Sequence, residues 1–192
     1  LKEPCIETCI ETFTGVLFDF LNPKPEMVRI EDIAHALSQL PRYTGHCKFP
    51  YPVAQHLRVG SYFVPEEFAY DYFCHDFSEA YLNDMSRPLK HFTKAGEEYR
   101  KIERRVQGVI ADVLGFSKVE PPIVKMYDTQ MLYTEKMQLM PSRVFRHEWA
   151  HIPEASISLP VTLQYADFWE QKDLFLRRYH ELKEKQCQLQ TA

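Results

Sequence analysis

Between Phe68 and Lys90 the chain passes from an aromatic run, Phe68-Ala69-Tyr70-Asp71-Tyr72-Phe73-Cys74, straight into His75-Asp76-Phe77-Ser78-Glu79. The run reads as a buried helix. Its continuation carries His75, Asp76 and Glu79, and residues three and four apart share one helix face. An imidazole and two carboxylates at the end of a buried helix are costly unless something binds them. A divalent metal, with one carboxylate left over as a proton acceptor, answers that cost.

The rest of the chain must fold around this point. Its 192 residues suit one domain spanning 1–192, large enough to bury a core. Only six glycines and little strand-like alternation point to an all-α helical bundle. The alternation from Thr12 to Phe20 is the exception and predicts a small N-terminal β-hairpin with Gly15 near its turn. A net charge of -4 argues against a general nucleic-acid binder. No apolar run reaches the length of a membrane span and no secretory signal is visible. Five irregularly spaced cysteines do not read as a disulfide framework, which favours a reducing cytoplasm. Cys5 and Cys9 are either half a zinc site or small buried side chains.

Apolar spacing predicts a helix over Ile30–Ser38, with His35 off its buried stripe. The loop Pro41–Pro50 groups Arg42, His46 and Lys48, which suit a phosphate; a solvated loop is the competing reading. A second helix opens at Pro52 and carries His56, with Leu57, Gly60, Ser61 and Val64 inward. Asn83–Pro88 is expected to be a loop that runs on irregularly to Gly96. Helices are expected over Glu97–Gly115, Ile123–Met140 and Thr162–Leu189. Arg100, Lys101, Arg104 and Arg105 form a solvated face or an oligomer contact. His147-Glu148-Trp149-Ala150-His151 has the spacing of a zinc-protease helix, but Pro141 and Pro153 leave little helix around it.

His56, the adjacent His75 and Asp76, and Asp128 make a four-ligand set on three helices. Such nitrogen and oxygen donors suit Zn, Mn, Fe or Co and do not select among them. With this ordered set the stretch from Ile30 to Met140 resembles the HD-domain phosphohydrolases. A closer resemblance is to small members acting on deoxynucleotides, the phage-type dATP triphosphohydrolases and the 5'-deoxynucleotidases. It rests on Val53-Ala54-Gln55-His56, His75-Asp76-Phe77-Ser78-Glu79, Asn83-Asp84, Arg87-Pro88, Lys90, Arg42-x-x-x-His46 and the Asp128–Glu135 segment. Lys136 stands where the family has an arginine.

The resemblance implies a metal-dependent hydrolase converting dATP to deoxyadenosine and triphosphate, in the host cytoplasm if phage-encoded and as a homo-oligomer. In that reading Glu79 deprotonates a water and Asp84 orients it or holds a substrate hydroxyl. Lys90, Arg42 and His46 bear on the phosphates. Phe18 or Phe20 stacks on the base or else packs in the core. A 5'-deoxynucleotidase releasing one phosphate shares every motif. A silent nucleotide sensor that keeps the metal for structure has no use for Glu79 and Asp84, and a metalloprotease would centre on His147 and His151.

Overall fold

The computed structural model describes residues 6–141 and 157–191. The fold is all-α with a small N-terminal hairpin, as the sparse glycines and helical spacing predict. The hairpin pairs β1 (Cys9–Glu11) with β2 (Leu17–Asp19) in antiparallel register, Ile10 opposite Phe18. The helices are α1 (Ile30–Gln39), α2 (Val53–Gly60), α3 (Glu66–Cys74), α4 (Glu79–Leu82), α5 (Arg87–Phe92), α6 (Lys94–Leu114), α7 (Pro122–Leu139) and α8 (Phe168–Thr191). Among the described residues no helix is long and apolar enough to cross a membrane. Cys5 and the His147-Glu148-x-x-His151 motif lie outside the described residues.

Proline sets many of the boundaries. Pro52 and Pro65 stand at the N-caps of α2 and α3, and Pro122 opens α7. Leu40 and Met140 are extended because each precedes a proline, which disfavours helical geometry at that position. Thr93 caps α6 by accepting from the Gly96 amide, and Gly115 ends that helix in the left-handed conformation.

α8 packs along α1, α2 and α3 and supplies Phe175, Tyr179 and Leu182 to the main core. Burying a side chain the size of Phe175 contributes about 1.5–3 kcal/mol. The core also takes Val106 and Ile110 from α6, although Val113, one turn beyond Val109, is exposed. A second cluster joins α7 to the returning chain through Met131, Leu139, Leu159 and Leu163. Side chains of α7 stitch that segment in place: Thr134 Oγ1 accepts from the Leu159 amide, and Gln138 bonds Leu163 N and Val161 O. These bonds hold residues 161–167 out of helix, so α8 begins six residues later than its apolar spacing suggests.

Three further boundaries differ from the sequence expectation. The hairpin strands lie outside Thr12 and Thr14, because both threonine hydroxyls and the Thr14 amide are spent on the buried carboxylate of Asp32. Residues 87–96, expected to be irregular, contain α5 and the first turn of α6. There the Leu89 and Lys90 carbonyls approach Gly96 so closely that no Cβ would fit. Most importantly, α3 does not continue through His75. It ends at Cys74, and the chain then descends by short turns, with Phe77 N on Cys74 O and Glu79 N on Asp76 O, before α4 begins.

The approach of α2 to α3 brings the two histidines together, and Gly60 permits it. A Cβ at Gly60 would collide with the hydroxyl end of the Tyr72 side chain, which is itself fully buried. Gly60→Ala is therefore expected to lower stability by about 1–3 kcal/mol through overpacking. The midpoint of urea unfolding measures it; a change within experimental error would show that the two helices separate freely.

Candidate metal centre

His56 projects from the middle of α2 and is fully buried. Its Nδ1 lies 2.8 Å from Glu135 Oε1 on α7. An ionised carboxylate only accepts, so Nδ1 is the donor in this bond and Nε2 is the ring atom turned toward the other candidate ligands. That Nε2 is buried, has no hydrogen-bond partner among the described residues, and points at Asp128 Oδ1 3.4 Å away. His75, just past the end of α3, repeats the pattern. Its Nδ1 is 2.6 Å from the Tyr72 carbonyl, and its Nε2 faces Asp76 Oδ2 at 3.1 Å and Asp128 Oδ1 at 3.8 Å. The two ring centroids are 5.6 Å apart. The four predicted ligands are thus brought to one point from α2, the turn after α3, and α7.

This donor set fits a divalent ion. His56, His75 and Asp76 each offer a ligand atom, all within 4.8 Å of one another, and His75 and Asp128 do the same with Glu120. Both imidazoles have the outer nitrogen fixed by a protein acceptor, the arrangement that orients metal-binding histidines. Burial alone would lower the pKa of His75, but Asp76, Asp128 and the Tyr72 carbonyl outweigh it and raise it to about 9. A proton and a cation therefore compete for the same Nε2, and loading the site would release the proton. Burial alone would raise Asp128, yet the adjacent His56 and His75 rings and the Lys125 ammonium hold it well below the usual carboxylate range.

Glu79 opens α4, not the continuation of α3 that would have placed it one turn below His75. It is 5% exposed, and its Oε2 is buried without a hydrogen bond. Burial, reinforced by Asp76 and Asp84, pushes its pKa well above the ordinary value. Asp84 is half-buried and raised as well, mainly by burial and against the pull of Arg42. A cavity of about 280 Å³ opens beside Glu79 between α1 and α4, lined also by Ala36, Leu40 and Asn83.

The cationic residues predicted to meet phosphate are already engaged. Arg42 is buried and donates from Nε to Glu135 Oε2 at 3.1 Å. Lys90 pairs with Glu103 at 2.6 Å, with Asp76 and Glu79 among the charges acting on it. Lys48 donates to the Gln138 carbonyl at 2.8 Å. His46 is exposed. Of the two readings of Phe18, the structure shows the core: Phe18 is 0% exposed and lies flat against Tyr81, centroids 3.7 Å apart. Phe20 is half-buried against the same core. His35, expected off the buried stripe, is half-buried under the Phe13 ring.

Three residues to which the sequence assigns no role, Glu135 among them although its segment is part of the resemblance, support the site. Glu135 holds His56, and its place two turns from Asp128 on α7 is the signal that would have found it. Lys125 bonds Asp128 Oδ2 at 2.7 Å and leaves Oδ1 to the histidines. Gln107, on α6, donates to the carbonyls of Cys74 and His75 at 2.7 and 2.9 Å and accepts from the Ser78 amide at 2.9 Å. It ties together the turn in which His75 and Asp76 sit.

The fold and the two-histidine, two-aspartate cluster, with His56 buried and the other three half-buried, define a helical protein with a candidate metal centre. The chain belongs to the family of the Escherichia coli strain K12 protein YfdR, itself described as uncharacterized. It is 37% identical to YfdR over 130 residues, covering 68% of this chain and 71% of that protein. An uncharacterized protein of Rhodobacter capsulatus is 31% identical over 121 residues, covering 58% of this chain and 61% of its own length. No family model matches the chain.

Because Gln107 satisfies two carbonyls and one amide, Gln107→Ala is expected to cost about 2 kcal/mol. Arg104→Ala on the exposed face of the same helix should stay within about 0.5 kcal/mol. Paired guanidinium unfolding curves test the difference, and equal midpoints would remove Gln107 from the support of the turn.

Proposed function

We propose that the protein is a metal-dependent phosphohydrolase of the HD-domain type acting on deoxynucleotides, with dATP converted to deoxyadenosine and triphosphate as the leading reaction. One observation carries the proposal: the buried, unbonded His56 Nε2 and the His75 Nε2 turn toward the same Asp128 oxygen, each with its other ring nitrogen held by a protein acceptor. His56, His75, Asp76 and Asp128 would hold a divalent ion, which when bound polarises a phosphoryl oxygen as a Lewis acid.

The chain's own residues supply the remaining chemistry. Glu79 has a buried, unpartnered oxygen and a raised pKa, so it is a stronger base than an ordinary carboxylate. It accepts a proton from the attacking water. The water oxygen bonds to the alpha phosphorus, the bond to the 5' oxygen breaks, and that oxygen leaves with a proton as the nucleoside hydroxyl. Asp84, whose charge is felt at Glu79, orients the water or holds a sugar hydroxyl. Arg42, His46 and Lys90 bear on the charge of the phosphates.

A second reading has a specific observation behind it. Arg42, Lys48 and Lys90 are each tied to a protein acceptor, which leaves less free positive charge for a triphosphate than the sequence suggests. A 5'-deoxynucleotidase needs less. Chromatography of products from a panel of deoxynucleoside mono- and triphosphates, with Mn, Co, Zn and Fe in turn, separates the two. The leading reading expects deoxyadenosine and intact triphosphate from dATP; release of single phosphate from dAMP alone selects the second.

Glu79→Gln is expected to keep bound metal and lose turnover by about 10²–10⁴-fold. In the unaltered protein the rate should rise with pH through a value above the ordinary carboxylate range, because a raised pKa keeps Glu79 protonated to higher pH. That limb should be absent from the residual rate of the variant. Full turnover with Gln at this position would exclude Glu79 as the base.

A further inference from the structure

We infer that Glu135 is a positioning residue that joins the Arg42–Gly45 turn to the metal ligand His56, so that filling the metal centre and ordering that turn are coupled. The inference rests on the metal-binding reading above and adds to it a link between two parts of the site.

Glu135 is fully buried, and its two oxygens are divided between the two parts. Oε1 receives the His56 Nδ1 proton. Oε2 receives Arg42 Nε at 3.1 Å and the Tyr43 hydroxyl at 2.6 Å. A carboxylate is rigid and planar, so it cannot turn to improve one set of bonds without disturbing the other. Its helix fixes it further, since α7 also carries Asp128, whose Oδ1 faces the other nitrogen of the His56 ring. His56 therefore stands between two acidic groups of one helix.

The turn on the far side of Glu135 needs this hold. Tyr43 and Thr44 both adopt left-handed backbone geometry, with φ of 55° and 54°, and Gly45 follows at 80°. For a β-branched threonine that conformation is a genuine outlier, kept only where surrounding contacts over-determine it. The backbone supplies few such contacts: the Arg42 amide bonds the Tyr51 carbonyl, and the His46 amide bonds the Tyr43 carbonyl. The side chains of Arg42 and Tyr43 add bonds that both go to one carboxylate oxygen. A cation on His56 Nε2 polarises the ring and strengthens its Nδ1 bond to Glu135, which steadies the acceptor that the turn depends on. By linkage, whatever steadies the turn must tighten ion binding by the same factor.

The test uses the whole protein and Co(II) alone. Its affinity is read by titration of the visible absorption, and amide hydrogen exchange of residues 42–46 is followed with and without the ion. In the unaltered protein Co(II) should slow exchange in the turn severalfold. Glu135→Gln should weaken Co(II) binding by about tenfold and abolish that slowing. Tyr43→Phe keeps the carboxylate on His56 and touches no metal ligand, yet it should weaken Co(II) by about fivefold. If Glu135→Gln does not fold, the tyrosine variant and the exchange data decide alone. Co(II) affinities within about twofold of the unaltered protein in the folded variants, or exchange in the turn indifferent to the ion, would overturn the coupling and leave the metal centre standing. An unaltered protein that binds no Co(II) would overturn both.

Discussion

His56 is buried in α2 between two acidic groups of α7, and the arrangement of the molecule follows from the need to satisfy that ring. An imidazole with no solvent must find an acceptor for its one proton and a partner for its lone pair. Glu135 answers the first need and is in turn neutralised by Arg42. For the second, Nε2 faces Asp128 without a hydrogen bond among the described residues. Around the same point lie Asp76, Asp128 and Glu79, of which Asp128 has Lys125 and Asp76 has His75 as partners. Glu79 has no ion-pair partner among the described residues. Charges so placed are tolerated when a cation completes them. The unbonded nitrogen and the neighbouring carboxylates are the features on which the proposed metal centre rests.

The four candidate ligands and the helices bearing them were legible in the sequence because each obeys a local rule. Spacing of apolar residues located α1, α2, α6 and α7 to within a few residues, since each has one clearly buried side or a proline at its boundary. Asp128 stood out as an aspartate inside a helix, where propensity alone disfavours it. The geometry around His75 was not legible in the same way. The apolar run to Cys74 gives no stop signal of its own. The turn that follows α3 is tied by Gln107, a residue far along the chain whose amide nitrogen bonds the carbonyls of Cys74 and His75. A tertiary hydrogen bond of that kind leaves no trace in local spacing.

The same distinction explains the hairpin. Alternation through Thr12–Phe20 announces strand, but the strands are set by Asp32, a buried acid on α1 that gathers the threonines into the turn and moves the pairing outward. Phe18 is thereby aimed inward onto Tyr81 of α4. A phenylalanine beside a nucleotide site and a phenylalanine in the core look alike in sequence; the register of the hairpin decides between them, and here it favours the core. Phe18 then contributes to the site indirectly, because Tyr81 lies on the short helix that begins with Glu79.

The positive residues follow a similar logic. In the sequence Arg42, Lys48 and Lys90 are a supply of charge for phosphate. In the fold each has a structural partner: Glu135, the end of α7, and Glu103. Such pairing does not remove them from ligand binding, since a guanidinium or ammonium has more donors than one acceptor uses. It does change what they can do. A lysine already neutralised by a glutamate positions a ligand oxygen more than it attracts a polyanion from solution. The net charge of the chain points the same way. In the proposed reading, a site built like this would take its grip on phosphate from a cation held by His56, His75, Asp76 and Asp128 and from fixed geometry more than from the basic residues.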